Sequence, residues 1–199
     1  MAEFKEIAAY LDQLHRDIGQ LMAFVEKCMG DAGYVSLPSS GNRASWRITS
    51  HFGRPDGWRA PYLTRCYVVD SEDENFSESL IFLIVLETDT IFDFPAVICA
   101  RMSHPPLTEK VIYSQVFLLD YLKTLVTSHP AWQNIRQEEG WIVAEPAFRT
   151  ATTMIRAYIL NLFSLSDQQR VMDNIIRPLT EEGILAEMIT LPVYTINEE

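Results

Sequence analysis

Residues 79–101 constrain this chain more than any other stretch. Leu80 to Leu86 is an unbroken apolar run, too short for a membrane span of about 20 residues and rich in side chains that suit a strand. It does not alternate, so both faces of such a strand have to be covered by other protein. Phe94 to Ala100 reads the same way. Residues 87–93 between them are polar enough to turn the chain. The two runs are therefore expected as neighbouring central strands, with the rest of the chain packed on them.

The flanking sequence supplies the cover. Phe4, Ile7, Leu11, Leu14, Ile18, Leu21, Met22, Val25 and Cys28 (or Met29) recur every three or four residues, one apolar stripe on a long helix that Gly30 and Gly33 end. A helix of this length covers a sheet face or pairs with its copy in a dimer, and covering the sheet is the simpler expectation. Residues 33–44 read as a loop around Pro38, Ser39, Ser40, Gly41 and Asn42. Residues 46–52 alternate as a half-buried strand, with Trp46 and Ile48 on one face and Arg47, Thr49 and His51 on the other. Residues 53–57 turn the chain into a second strand over residues 62–69. Four antiparallel strands in a meander are the simplest topology for such short connections.

After the central strands, His104-Pro105-Pro106 is expected to end the sheet. Thr108 then caps a helix to about Ser128 with apolar residues around most of its circumference. Residues 132–140 read as a short helix and residues 141–145 as one more edge strand. Pro146 opens a helix carrying Phe148, Met154, Ile155, Tyr158, Ile159, Leu162 and Phe163, and Ser166-Asp167-Gln168-Gln169 matches a capping box for another, running to about Pro178. The two form a C-terminal helical hairpin. Residues 191–196 alternate like a strand joining an edge.

Composition narrows the function classes. A chain of 199 residues with 48% apolar and 22% charged side chains is read as a single α+β domain, residues 1–199. A formal charge of −11 opposes a phosphate backbone, so double-stranded nucleic acid is not expected as a partner. Cys28, Cys66 and Cys99 are odd in number and widely spaced, and each falls in an apolar pattern, so they are read as small buried hydrophobes and not as a zinc site or disulfide framework. No basic segment leads into a long apolar one at the N-terminus, which points to the cytoplasm and away from a membrane. His15, His51, His104 and His129 show no paired spacing; no metal or cofactor is implied.

Charge is most uneven around the first hairpin. Residues 34–65 carry Arg43, Arg47, Arg54, Arg59 and Arg65 against Asp56, a net of +4, while residues 66–95 carry eight carboxylates and no base. Guanidinium groups recognise carboxylate or phosphate bidentately and stack on aromatics, and Trp46, Trp58 and Tyr62 lie among them. Arg47, His51, Arg65 and Arg101, with Trp46 and Tyr62, are thus the candidate ligand-binding residues, His51 the one group placed to act as a base. The plainer alternative is that these arginines pair with the neighbouring acidic loops and only tie a sheet edge together. Nucleotide cradles and a Gly-x-Ser-x-Gly elbow are absent from the sequence.

The sequence is thus read as an antiparallel sheet of four to five strands with a long N-terminal helix and a C-terminal helical hairpin. The order of long helix, meandering strands and following helix resembles in outline the export-chaperone type of α+β dimer, at the level of fold alone. The leading functional expectation is a non-enzymatic binding or adaptor protein, a homodimer, recognising a protein partner or a small anionic ligand. The alternatives are a small-molecule enzyme or ligand sensor with an arginine-lined pocket, and a nucleic-acid-associated regulatory or defence protein using the basic hairpin.

Overall fold

The computed structural model describes residues 2–37, 45–46, 62–70, 75–86, 92–108, 111–112, 119–126 and 129–181. The N-terminal helix spans Ala2–Asp31, 30 residues and about 45 Å long. Gly33, at φ +84, reverses the chain behind it, and its carbonyl accepts the Asp70 N–H at 2.7 Å. Because a positive φ costs glycine nothing, the helix passes directly into β1, Tyr34–Leu37, which sequence reading had assigned to a loop.

Seven strands are hydrogen-bonded in the order β1-β3-β4-β5-β8-β7-β6, all neighbours antiparallel, and the two-residue β2, Ser45–Trp46, pairs with β3 beyond the end of β1. The remaining strands are β3 (Tyr62–Val69), β4 (Asn75–Val85), β5 (Ala96–Thr108), β6 (Trp132–Glu138), β7 (Trp141–Pro146) and β8 (Met154–Asn161). The sheet is wider than the expected four to five strands. Only its first part, β3-β4-β5, is the anticipated meander. From β5 the chain crosses one face through short helical turns at Leu119–Leu122 and Lys123–Val126, reaches the far edge as β6, and returns as β7 and β8 to close against β5.

The central pair is where the apolar runs placed it. Leu80 to Val85 and Ala96 to Ala100 are all buried, with side chains alternating between two cores. One core holds Ile81, Leu83, Val85, Ile98, Ala100, Ile155 and Ile159 under Phe92 from the β4–β5 connection and Ile112, Leu122 and Leu125 from the crossing segment. The other holds Leu80, Phe82, Ile84, Val97, Cys99, Tyr158 and Leu160 under Val25 and Met29 of the N-terminal helix and Ile175 and Leu179 of the C-terminal one. Both terminal helices therefore share one face.

Two further corrections have physical causes. Residues 146–163 do not form a helix, and one C-terminal helix over residues 168–180 replaces the hairpin. The spacing of Ile155, Tyr158, Ile159 and Leu162 fits a helix, but in a central strand adjacent residues are both buried, Ile155, Ala157 and Ile159 on one face and Tyr158 and Leu160 on the other. Likewise, His104-Pro105-Pro106 does not end the sheet. The β4–β5 register passes from Glu78↔Ser103 to Phe76↔Leu107, so these residues sit in a bulge where the ladder asks for no proline N–H.

The polar segment read as a short helix and the edge strand after it are the hairpin β6–β7, turned by Glu139 and Gly140 at φ +49 and +84. The C-terminal helix is capped by Asp167, whose carboxylate accepts the Arg170 N–H at 2.9 Å, one residue after the serine expected to cap it. It widens to a π-helix over Met172–Ile176 just before Pro178. A proline ring crowds the carbonyl four residues back and brings no N–H, and the wider turn accommodates both. The expected strand at residues 191–196 lies outside the described residues.

Candidate functional site

On the helix-covered face, a groove of about 500 Å³ lies between the N-terminal helix and the chain that follows β8. One wall is the helix surface of Leu14, Ile18, Leu21 and Phe24; the other is Leu162, Phe163, Leu165 and Val171. The second wall has a local origin in Asn161, whose side chain accepts the Phe163 N–H at 2.9 Å while Ser164 Oγ donates to the Asn161 carbonyl at 2.6 Å. This tight 3₁₀ turn over Leu162–Ser164 sends Leu162 into the core and leaves Phe163 60% exposed. Asp17 and Asp167 are the charged residues of the lining, and both are engaged within the chain, Asp17 by the Gln13 amide at 2.7 Å and Asp167 by the Arg170 backbone.

A polar cluster lies between the same helix and the sheet edge. The Glu26 carboxylate accepts from Ser36 Oγ at 2.7 Å, Tyr67 Oη at 3.1 Å and Arg65 Nε at 3.2 Å, fastening the helix to β1 and β3. Arg65 is 13% exposed, and its Nη1 is buried with no hydrogen-bond partner among the described residues. Burial, followed by the charge of Glu26, pushes the Tyr67 hydroxyl well above its ordinary range, so it stays protonated and donates. Burial likewise pushes the thiols of Cys66 and Cys99 up to about 12, and all three cysteines are free and buried, as their apolar surroundings implied.

The expected arginine pocket is only partly visible. Arg65 and Arg101 project from the same sheet face, but each already holds a carboxylate, Arg65 that of Glu26 and Arg101 both oxygens of Glu78 at 2.9 and 2.8 Å. Glu78 belongs to the acidic segment that the plainer alternative invoked; Glu26, on the helix, was not considered. Trp46 and Tyr62 are placed in β2 and β3 by their backbones, and Arg47 and His51 lie outside the described residues. Among the described residues no three His, Cys, Asp or Glu side chains come together as a metal cage requires, and no helix is long and apolar enough to cross a membrane.

Sequence reading missed the groove because Leu162 and Phe163 were assigned to a helix. The available signal was Asn161 with Ser164, a side-chain pair suited to capping a turn. Fold and site together define an α+β domain with a seven-stranded antiparallel sheet and, beside its N-terminal helix, a cleft lined by both apolar and polar side chains. Compared with protein-family models, curated proteins and solved structures, the chain matches none.

Proposed function

We propose that the protein is a non-enzymatic binding or adaptor protein, and that its groove takes an apolar helical segment of a protein partner. The observation that supports this reading is the groove itself: apolar side chains on both walls with Gln20, Ser166 and Gln168 among them, an exposed phenylalanine, and charged groups already satisfied within the chain. An amphipathic helix presents its i, i+3, i+4 and i+7 side chains to such a cleft. The arginine-rich face supports a small anionic ligand less well, since an incoming carboxylate has to displace Glu26 or Glu78 from geometry they already satisfy.

The test is amide hydrogen exchange with and without a synthetic amphipathic helix bearing leucines at helical spacing. Protection is expected to rise at residues 14–24 and 162–171. Binding without protection there, or no binding by any helical peptide in a length series, overturns the reading.

A further inference from the structure

The helical wall of the groove continues toward the N-terminus as a polar strip. Counting about 100° per residue around the helix axis, Glu6, Gln13, Leu14, Asp17, Leu21 and Phe24 all lie within about 80° of Tyr10. Of these, Glu6, Tyr10, Gln13 and Asp17 are exposed. Lys5, Arg16 and Lys27, the lysines and arginine of this helix, lie about 100° to 140° away from Tyr10, outside the strip. The strip is therefore anionic. Asp17 accepts the Gln13 amide at 2.7 Å, but Gln13 is neutral, and no cation among the described residues pairs with Asp17 or Glu6. On the opposite wall the charged residue is Asp167. Arg170, which is not part of the lining, stands 3.7 Å from its carboxylate and donates to the Ser164 carbonyl at 3.2 Å.

We propose that the helix taken by the groove is a basic one, with apolar residues along one face and lysines or arginines along the flank that meets Glu6, Tyr10 and Asp17. The inference rests on reading the groove as a helix-binding site and adds the charge of the partner. Charge complementarity carries it. The charged residues of the lining are carboxylates, and the whole chain bears −11, so a cationic helix is drawn in before contact and an acidic one is repelled. The rings of Tyr10 and Phe163, each 60% exposed, offer faces over which a cationic side chain can lie. Glu6 and Asp17 stand about 16 Å apart along the helix axis, so a partner helix lying alongside meets both with basic residues about three turns apart. A neutral partner gains nothing from the strip.

Two synthetic helices with the same leucine pattern, one with lysines and one with glutamates at the flanking positions, test this by fluorescence titration against the full chain. The lysine peptide is expected to bind about tenfold more tightly at low salt and to lose most of that advantage between about 20 and 500 mM salt. Asp17→Asn keeps an oxygen for the Gln13 amide and Glu6→Gln changes an exposed side chain, so neither should move Tm. Together they should weaken the lysine peptide about fivefold and tighten the glutamate peptide. Equal affinity for the two peptides overturns the proposal, as does a lysine preference undiminished by both substitutions. Equal affinity with exchange protection at residues 14–24 and 162–171 loses this inference and keeps the groove as a helix site; no binding by either peptide loses both.

Discussion

Glu26 shows how much one side chain of the long helix contributes. Three donors from β1 and β3 converge on its carboxylate, and two of them, Arg65 and Tyr67, are largely withdrawn from water. Replacing it with alanine leaves a buried guanidinium without its counter-charge and a buried phenol without its acceptor. Glu26→Ala should destabilise the fold by roughly 2–4 kcal/mol in urea titrations. A change below about 0.5 kcal/mol, typical of an ion pair in open water, is inconsistent with this role. The buried thiols act in the opposite pH range from a carboxylate. Cys66 and Cys99 are pushed from 9.0 up to about 12, so below pH 9 they add no pH dependence. Above it the unfolded chain sheds these protons and the native chain retains them, so stability falls as pH rises, by about 1.4 kcal/mol per pH unit for each thiol. Urea melts between pH 8 and 10, below the range in which the raised hydroxyls of Tyr67 and Tyr158 add the same trend, should show a falling stability that flattens in a Cys66→Ala/Cys99→Ala variant; an unchanged slope in the variant assigns the effect elsewhere.

The elements were legible where local pattern and tertiary demand agree. The N-terminal helix lies where periodicity put it, and β3 occupies the residues read as the second strand of the hairpin, 62–69. Strand β8 was not legible, since burial on both sides erases alternation and leaves a spacing that a helix satisfies equally well. The junction of helix and sheet depends on backbone conformation. A Cβ built on Gly33 meets nothing within 4 Å, so its substitution costs only the strain of φ +84. Gly33→Ala should therefore lower stability by about 1 kcal/mol with the fold intact by circular dichroism. A stabilising effect contradicts the left-handed geometry of the turn.

Across the whole molecule, the sheet is assembled from two three-stranded meanders that meet at β5 and β8. That contact is made only after the chain has crossed an entire face, and no local pattern announces it. The candidate site was equally hard to read. Arg65 and Arg101 were picked out for their charge, and both prove to be neutralised by carboxylates distant in sequence, at positions 26 and 78. The groove was invisible because its two walls lie more than a hundred residues apart.

By itself the sequence determined that two adjacent central strands are buried on both faces, that a long amphipathic helix precedes them, and that the cysteines are inert core residues. These follow from local hydrophobic pattern and length. The tertiary structure decided the width and order of the sheet, the sharing of one face by both terminal helices, and the pairing of each arginine. Those are set by which distant surfaces meet, a choice governed by the total apolar area buried and the satisfaction of polar groups over the whole chain.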